Sequence, residues 1–206
     1  MPLLILYNPV CGSHSAKSFT EDHILPLLKQ YNITVDLVLA TRYAGHAGEL
    51  VANYLRLTTD LTLVLVSGDG TLHEVVNNYN FTGSQAVNDH RAAFPQARIA
   101  VVLVPAGTAN ALYSSLFPPA KEETSAVEYK LRSLRAFLDG KERVPLTLGV
   151  TTLLPSTSGE SQAHPRTAVS GVVTSTALHA SILYDSEELR HEYPGIERYF
   201  CHMLNE

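Results

Sequence analysis

The sequence predicts an α/β protein: a parallel-sheet unit at residues 1–140, then a β-rich piece at 141–206. Two observations carry this. Short apolar runs at 3–7, 61–66 and 99–104 alternate with stretches of helical spacing. Buried strands alternating with helices are the pattern of a parallel sheet. After Gly140 the chain turns to long Val/Thr/Ser stretches, which read as antiparallel strands opening a β-sandwich.

Leu3 to Tyr7 is a strand, stopped by Asn8-Pro9. Ala16 to Tyr31 carries Phe19, Ile24, Leu27, Leu28 and Tyr31 at helical spacing, and Pro26 within it predicts a kink or a split. Ile33 to Leu39 is rich in β-formers. Gly45 to Leu57 reads as a helix, Leu61 to Val66 as a strand and Thr71 to Tyr79 as a helix. Thr82 to Arg98 has no period and reads as a surface loop. Ile99 to Val104 is a strand, followed by a helix from about Thr108 to Leu116. Val127, Leu131, Leu134 and Leu138 form one apolar stripe on a helix ending at Asp139-Gly140. Val144 to Leu154 and Thr167 to Tyr184 are the antiparallel pair, joined by a Pro/Ser/Gly insertion. The charged tail from Ser186 is helical at first, until Pro194-Gly195 breaks it.

Composition narrows the function. The chain has 206 residues, 45% of them hydrophobic and 17% charged, so it can pack a core and is not disordered. Its net charge of -5 argues against a nucleic-acid module, which carries a basic face. Cys11 and Cys201 make no metal or redox pair, so a reducing compartment is the default. No apolar run approaches a membrane span, and the first residues lack a basic signal region. These features predict a soluble cytoplasmic protein.

Three turns follow three strands: Asn8-Pro9-Val10-Cys11-Gly12, Ser67-Gly68-Asp69-Gly70-Thr71 and Pro105-Ala106-Gly107-Thr108-Ala109-Asn110. Ligands of open parallel sheets sit outside the carboxyl ends of strands. Glycine there admits a phosphate close to the backbone, and the helix start behind it offers free N–H groups. A lone turn of this kind is an ordinary strand–helix connection; three at one sheet edge point to a phosphate ligand. Asp69 reads in two ways, as the N-cap of its own helix or as a carboxylate beside phosphates. In the second role it holds Mg²⁺ through water or orients an attacking hydroxyl. The P-loop and dinucleotide glycine patterns are both absent, and Asn77 stands where a zinc-binding H-E-x-x-H would need histidine.

Asn8-Pro9-x-x-Gly12, Thr41 with His46-Ala47, the run from Ser67 to Asn77, and Pro105 to Leu112 together resemble the diacylglycerol kinase catalytic-domain superfamily. The run Ser-Gly-Asp-Gly with His-Glu-Val-Val-Asn resembles most the sphingosine (long-chain base) kinases. The resemblance implies an α/β nucleotide domain, a β-sandwich lipid domain, and ATP with Mg²⁺ in the cleft between them. It implies nucleotide contacts from Asn8, Gly12, Thr41, Ser67, Gly68, Gly70, Thr71, Glu74, Gly107, Thr108 and Asn110, with Asp69 catalytic. Near the end, Asp185 resembles a lipid-head-group aspartate, and Arg190 and Arg198 resemble phosphate-binding arginines. The implied partners are a sphingoid base or diacylglycerol and, transiently, an intracellular membrane surface.

The sequence also departs from the family pattern. Cys11 stands in the first turn, no lysine follows it, and a late Asp-Gly-Glu motif has no counterpart. The expectation is therefore a lipid kinase whose second domain is incomplete, with a non-catalytic nucleotide-binding protein and an NAD-kinase-like enzyme as the alternatives.

Overall fold

The computed structural model describes residues 1–78, 97–119, 125–153, 166–172, 184, 186–193, 195 and 197. Strands β1 (Leu3–Tyr7), β2 (Leu37–Ala40), β3 (Asp60–Ser67) and β4 (Arg98–Pro105) form one sheet in the order β2-β1-β3-β4. Every pairing in it is parallel. The order reverses between β1 and β3, which makes the carboxyl ends of these two strands the switch point of the sheet.

Alternation along the strands sends successive side chains to opposite faces. Leu3, Ile5, Val64, Val66, Val102 and Val104 face one layer, with Ile24, Leu28, Leu131 and Leu134 packed on them. Leu4, Leu6, Leu61, Leu63 and Leu65 face the other, under Val51, Leu55, Leu72 and Val75. β3 is buried from Leu61 through Ser67. A leucine fully buried there contributes about 1.5–3 kcal/mol, so this central strand anchors both layers.

The first layer begins with α1 (Ala16–Phe19), a π-helical turn at Thr20–Ile24 and α2 (Leu25–Gln30). The split predicted from Pro26 is thus realised as a widened turn just before it. Proline lacks the N–H and crowds the preceding carbonyls, and a π turn relieves both. Buried Thr20 also turns its hydroxyl back onto the Ala16 carbonyl at 2.7 Å. Strand β2 is shorter than the apolar run suggests. The Asp36 carboxylate accepts the Leu3 N–H at 2.7 Å, and its N–H donates to the Leu3 carbonyl, which closes the ladder there. Ile33 and Val35 pack against the core from the loop instead.

The opposite layer holds α3 (His46–Leu55) and α4 (Asp69–Asn78). They approach closely because Gly48 has no side chain: a Cβ there would meet the Glu74 carbonyl at 2.5 Å. α5 (Ala111–Leu116) starts later than expected, because Thr108 to Asn110 form the turn before it. α6 (Ala126–Leu138) carries the apolar stripe. Gly140 at φ +64 ends it: the Gly140 N–H bonds Phe137 and the Lys141 N–H bonds Ala136. This pattern closes the last carbonyls of the helix.

Beyond α6, β5 (Gly149–Leu153) and β6 (Arg166–Ser170) form the antiparallel pair. Val169 of β6 is buried in the α3/α4 layer. A short 3-10 helix spans Glu188–His191. The surface-loop reading of Thr82 to Arg98 falls almost wholly outside the described residues, but its last residue, Arg98, opens β4 instead, paired with Asp60 of β3 and donating its Nε to that carboxylate at 2.9 Å. The joining insertion and the stretch 173–183 also lie outside the described residues. No helix among the described residues is long and apolar enough to cross a membrane.

Candidate functional site

The three turns meet at the switch point. Asn8 leaves β1, and its N–H bonds the Val66 carbonyl of β3. Its side chain spans the gap: Nδ2 donates to Thr71 Oγ1 at 3.2 Å, while Oδ1 accepts the Val10 N–H at 3.1 Å. The same residue therefore shapes its own turn and ties it to the start of α4. Thr71 is buried, and its N–H reaches the Gly68 carbonyl.

The glycines divide into two kinds. Gly12 has φ +50, and a Cβ there would stand 2.2 Å from the Ala106 carbonyl oxygen. A Cβ on Gly107 would stand 2.5 Å from the Gly68 Cα, and one on Gly68 would stand 3.1 Å from the Gly107 Cα. These glycines let three pieces of backbone pack together. Gly70 is different: a Cβ there would meet nothing within 4 Å. Its bareness leaves open space over the first turn of α4.

Asp69 does not act as the N-cap of its own helix. It is the first residue of α4, and its carboxylate caps α5 instead. Oδ2 accepts the Ala111 N–H at 2.6 Å and Oδ1 accepts the Leu112 N–H at 3.2 Å. A carboxylate at a helix start satisfies orphan donors and faces the positive end of the dipole. Asn110 arranges this. It sits in the left-handed region at φ 51, where asparagine is tolerated. Its Oδ1 accepts the Gly107 N–H at 2.9 Å and its Nδ2 donates to the Gly107 carbonyl at 2.6 Å. Ser67, Gly68, Asp69, Asn110 and Tyr113 line a small cavity beneath the turns. Tyr113 is buried, donates its hydroxyl to the Tyr129 carbonyl, and has its pKa pushed up to about 12, chiefly by burial.

The remaining expected residues lie at varying distances from this point. Thr41, buried at the end of β2, bonds its N–H to the Tyr7 carbonyl at 2.9 Å. Thr108 is exposed in the third turn, and Ser67 is buried at the end of β3, where the second turn begins. The Glu74 Oε2 accepts the Ala47 N–H at 3.3 Å, at the start of α3. Arg190 lies in the short helix Glu188–His191. Asp185 and Arg198 lie outside the described residues. Cys11 donates its thiol to the Asn8 carbonyl at 3.0 Å, and burial pushes its pKa up to about 11. It is a turn residue, not an activated nucleophile.

Two features of the site had no simple sequence signal. The capping of α5 by Asp69 joins residues more than forty positions apart. The amide of Asn77, at the far end of α4, holds the backbone of Val169. Asn77 does belong to the run that includes Asp69, and that membership was the available clue.

A parallel α/β unit with glycine turns converging on its switch point defines a class of phosphate-receiving folds. The chain belongs to the diacylglycerol kinase catalytic domain family, which matches residues 2–138. It is 29% identical over 149 residues to sphingosine kinase 1 of Arabidopsis thaliana, covering 72% of this chain and 29% of that protein. It is 37% identical over 114 residues to human sphingosine kinase 1, covering 55% and 27%. Among solved structures, a diacylglycerol kinase from Bacillus anthracis str. Sterne aligns at 18% identity with a TM-score of 0.46, over 73% of this chain and 43% of that one. The chain spans less than a third of the length of the two sphingosine kinases.

Proposed function

We propose that the chain takes part in ATP-dependent phosphorylation of a lipid hydroxyl, on a sphingoid base or a related lipid such as diacylglycerol. The observation that carries this reading is the Asp69 carboxylate, pinned by two backbone N–H groups where the three glycine turns converge. The sphingosine kinases among its relatives support a sphingoid base as acceptor. Residues 1–140 form the nucleotide unit and residues 141–206 belong to the lipid side. The protein works in the cytoplasm and meets its acceptor at an intracellular membrane surface.

In this reading the triphosphate lies over Gly70, against backbone from the Asn8–Gly12, Ser67–Thr71 and Gly107–Asn110 turns. Thr41, Glu74 and Thr108 complete the surroundings. Asp69 orients the acceptor hydroxyl and takes its proton late in transfer, because phosphoryl transfer rests mainly on positioning and electrostatics. Arg190 and Arg198 balance phosphate charge, and Asp185 pairs with the amine of a sphingoid base.

Among the described residues no three His, Cys, Asp or Glu side chains gather into a metal cage. Mg²⁺ keeps its waters and binds through phosphates and one or two carboxylates. Asp69 fits as that carboxylate, since each oxygen keeps a lone pair beyond its N–H contact. When bound, Mg²⁺ supplies charge neutralisation for the triphosphate.

The test is direct. The purified chain is given labelled ATP with sphinganine, diacylglycerol or NAD. Label on either lipid, lost in Asp69→Asn, is the expected result. Nucleotide binding without transfer would favour a non-catalytic role, and label on NAD would favour an NAD-kinase-like enzyme.

A further inference from the structure

Asn77 makes the polar link between α4 and the second sheet. Its Nδ2 donates to the Val169 carbonyl at 2.6 Å and its Oδ1 accepts the Val169 N–H at 2.8 Å. The amide thus copies the pairing of a neighbouring strand. Val169 stands opposite Val150 in the β5–β6 register. Residues of an antiparallel pair alternate between bonding their partner and pointing both backbone groups outward. With both groups given to Asn77, Val169 points its backbone at α4. Asn77 therefore occupies a strand's place on the outer edge of β6.

The clasp is fixed at both ends. Val169 is 6% exposed and packs in the same apolar cluster as Ala47, Val51, Leu72 and Val76. α4 is held against α3 through Gly48, where a Cβ would meet the Asn78 Cβ at 2.4 Å. Because side chains alternate along β6, the pairing selects one register. A slip of one residue would turn Val169 out of the cluster. The helix that begins with Asp69 thus ends by setting the height of the second sheet.

We propose that Asn77 is a positioning residue for the acceptor substrate: through the Val169 backbone it registers the lipid side on the helix that carries Asp69. The proposal rests on the lipid-kinase reading above. It assigns Asn77 no contact with nucleotide or lipid. Its loss should therefore weaken use of the acceptor and spare use of ATP.

The experiment compares the 206-residue chain with its Asn77→Leu and Asn77→Asp variants. Hydrogen exchange reads the amides of 166–172, and steady-state kinetics use ATP and sphinganine in detergent micelles. In Asn77→Leu, exchange at Val169 should rise tenfold or more while β1 and β3 keep their protection. The KM for sphinganine should rise at least fivefold, with the KM for ATP within twofold. Asn77→Asp keeps the acceptor for the Val169 N–H and should fall between the wild type and Asn77→Leu. It also serves as the test variant if Asn77→Leu does not fold. Unchanged exchange at Val169 overturns the clasp. Raised exchange with both KM values unchanged, or with the ATP KM raised equally, overturns the positioning role. A wild-type chain that labels neither lipid overturns the kinase reading and the positioning role with it. That failure is distinct, because it appears before any substitution is made.

Discussion

Gly68 and Gly107 touch backbone to backbone: a Cβ added to Gly107 would stand 2.5 Å from the Gly68 Cα. The contact joins the turn after β3 to the turn after β4. It places Asn110 so that α5 presents its first N–H groups to Asp69. The geometry around Asp69 therefore depends on two missing side chains.

Gly107→Ala should destabilise the fold. The clash is with backbone, which cannot swing aside, and overpacking of this kind costs about 1–3 kcal/mol. Gly70→Ala is the counterpart. With nothing within 4 Å of the new Cβ and a helical position to fill, it should be neutral or stabilising by up to about 1 kcal/mol. Urea unfolding distinguishes the two. If the triphosphate lies over Gly70, the second variant should also bind ATP at least tenfold more weakly despite its intact stability.

Asp69→Asn should remove transfer and also loosen α5. The amide keeps one acceptor, but its NH₂ then faces an N–H donor of Ala111 or Leu112. Weakening such a cap costs about 1 kcal/mol. Activity should fall at least 100-fold, which is the scale of a lost general base. A variant that transfers phosphate at the wild-type rate would show that Asp69 serves only as a cap.

What the sequence made legible follows from range. β3 and the apolar stripe of α6 were readable because burial and helical spacing are local patterns. Pro26 announced a break, although not that a π turn would make it. Asp36 was silent: its carboxylate ends a ladder by bonding Leu3, a contact that no periodicity records. Asp69 shows the same limit at the site. Its type and neighbours marked it, while its partner helix lies across the sheet edge. Glu74 is a further case: its oxygen serves the start of α3, across 27 positions of chain. In each case a side chain spends its polar group on a distant backbone, and only the topology of the sheet determines which one.

Ser125→Ala should cost stability without touching the site. Ser125 caps α6, its Oγ accepting the Glu128 N–H at 3.1 Å. Serine with glutamate three residues on is a capping-box spacing. The loss should be about 1 kcal/mol in urea unfolding. Because α6 packs on the face opposite α4, the ATP KM should stay within twofold.

Cys11 makes stability fall at alkaline pH. Its thiol pKa rises from 9.0 to about 11 in the folded chain, chiefly because burial disfavours the thiolate. Between those values the unfolded chain has lost the proton and the folded chain retains it. The folded state then binds more protons, so stability declines as pH rises. The loss begins near pH 9, grows toward pH 11 and levels off above it. Cys11→Ser, whose hydroxyl does not titrate in this range, should flatten that part of the urea-unfolding profile. Alkylation adds a kinetic check, since the thiolate is the reactive form. At pH 8 the native chain should modify Cys11 far more slowly than the urea-unfolded chain. Equal rates would mean that the thiol is not buried in the turn.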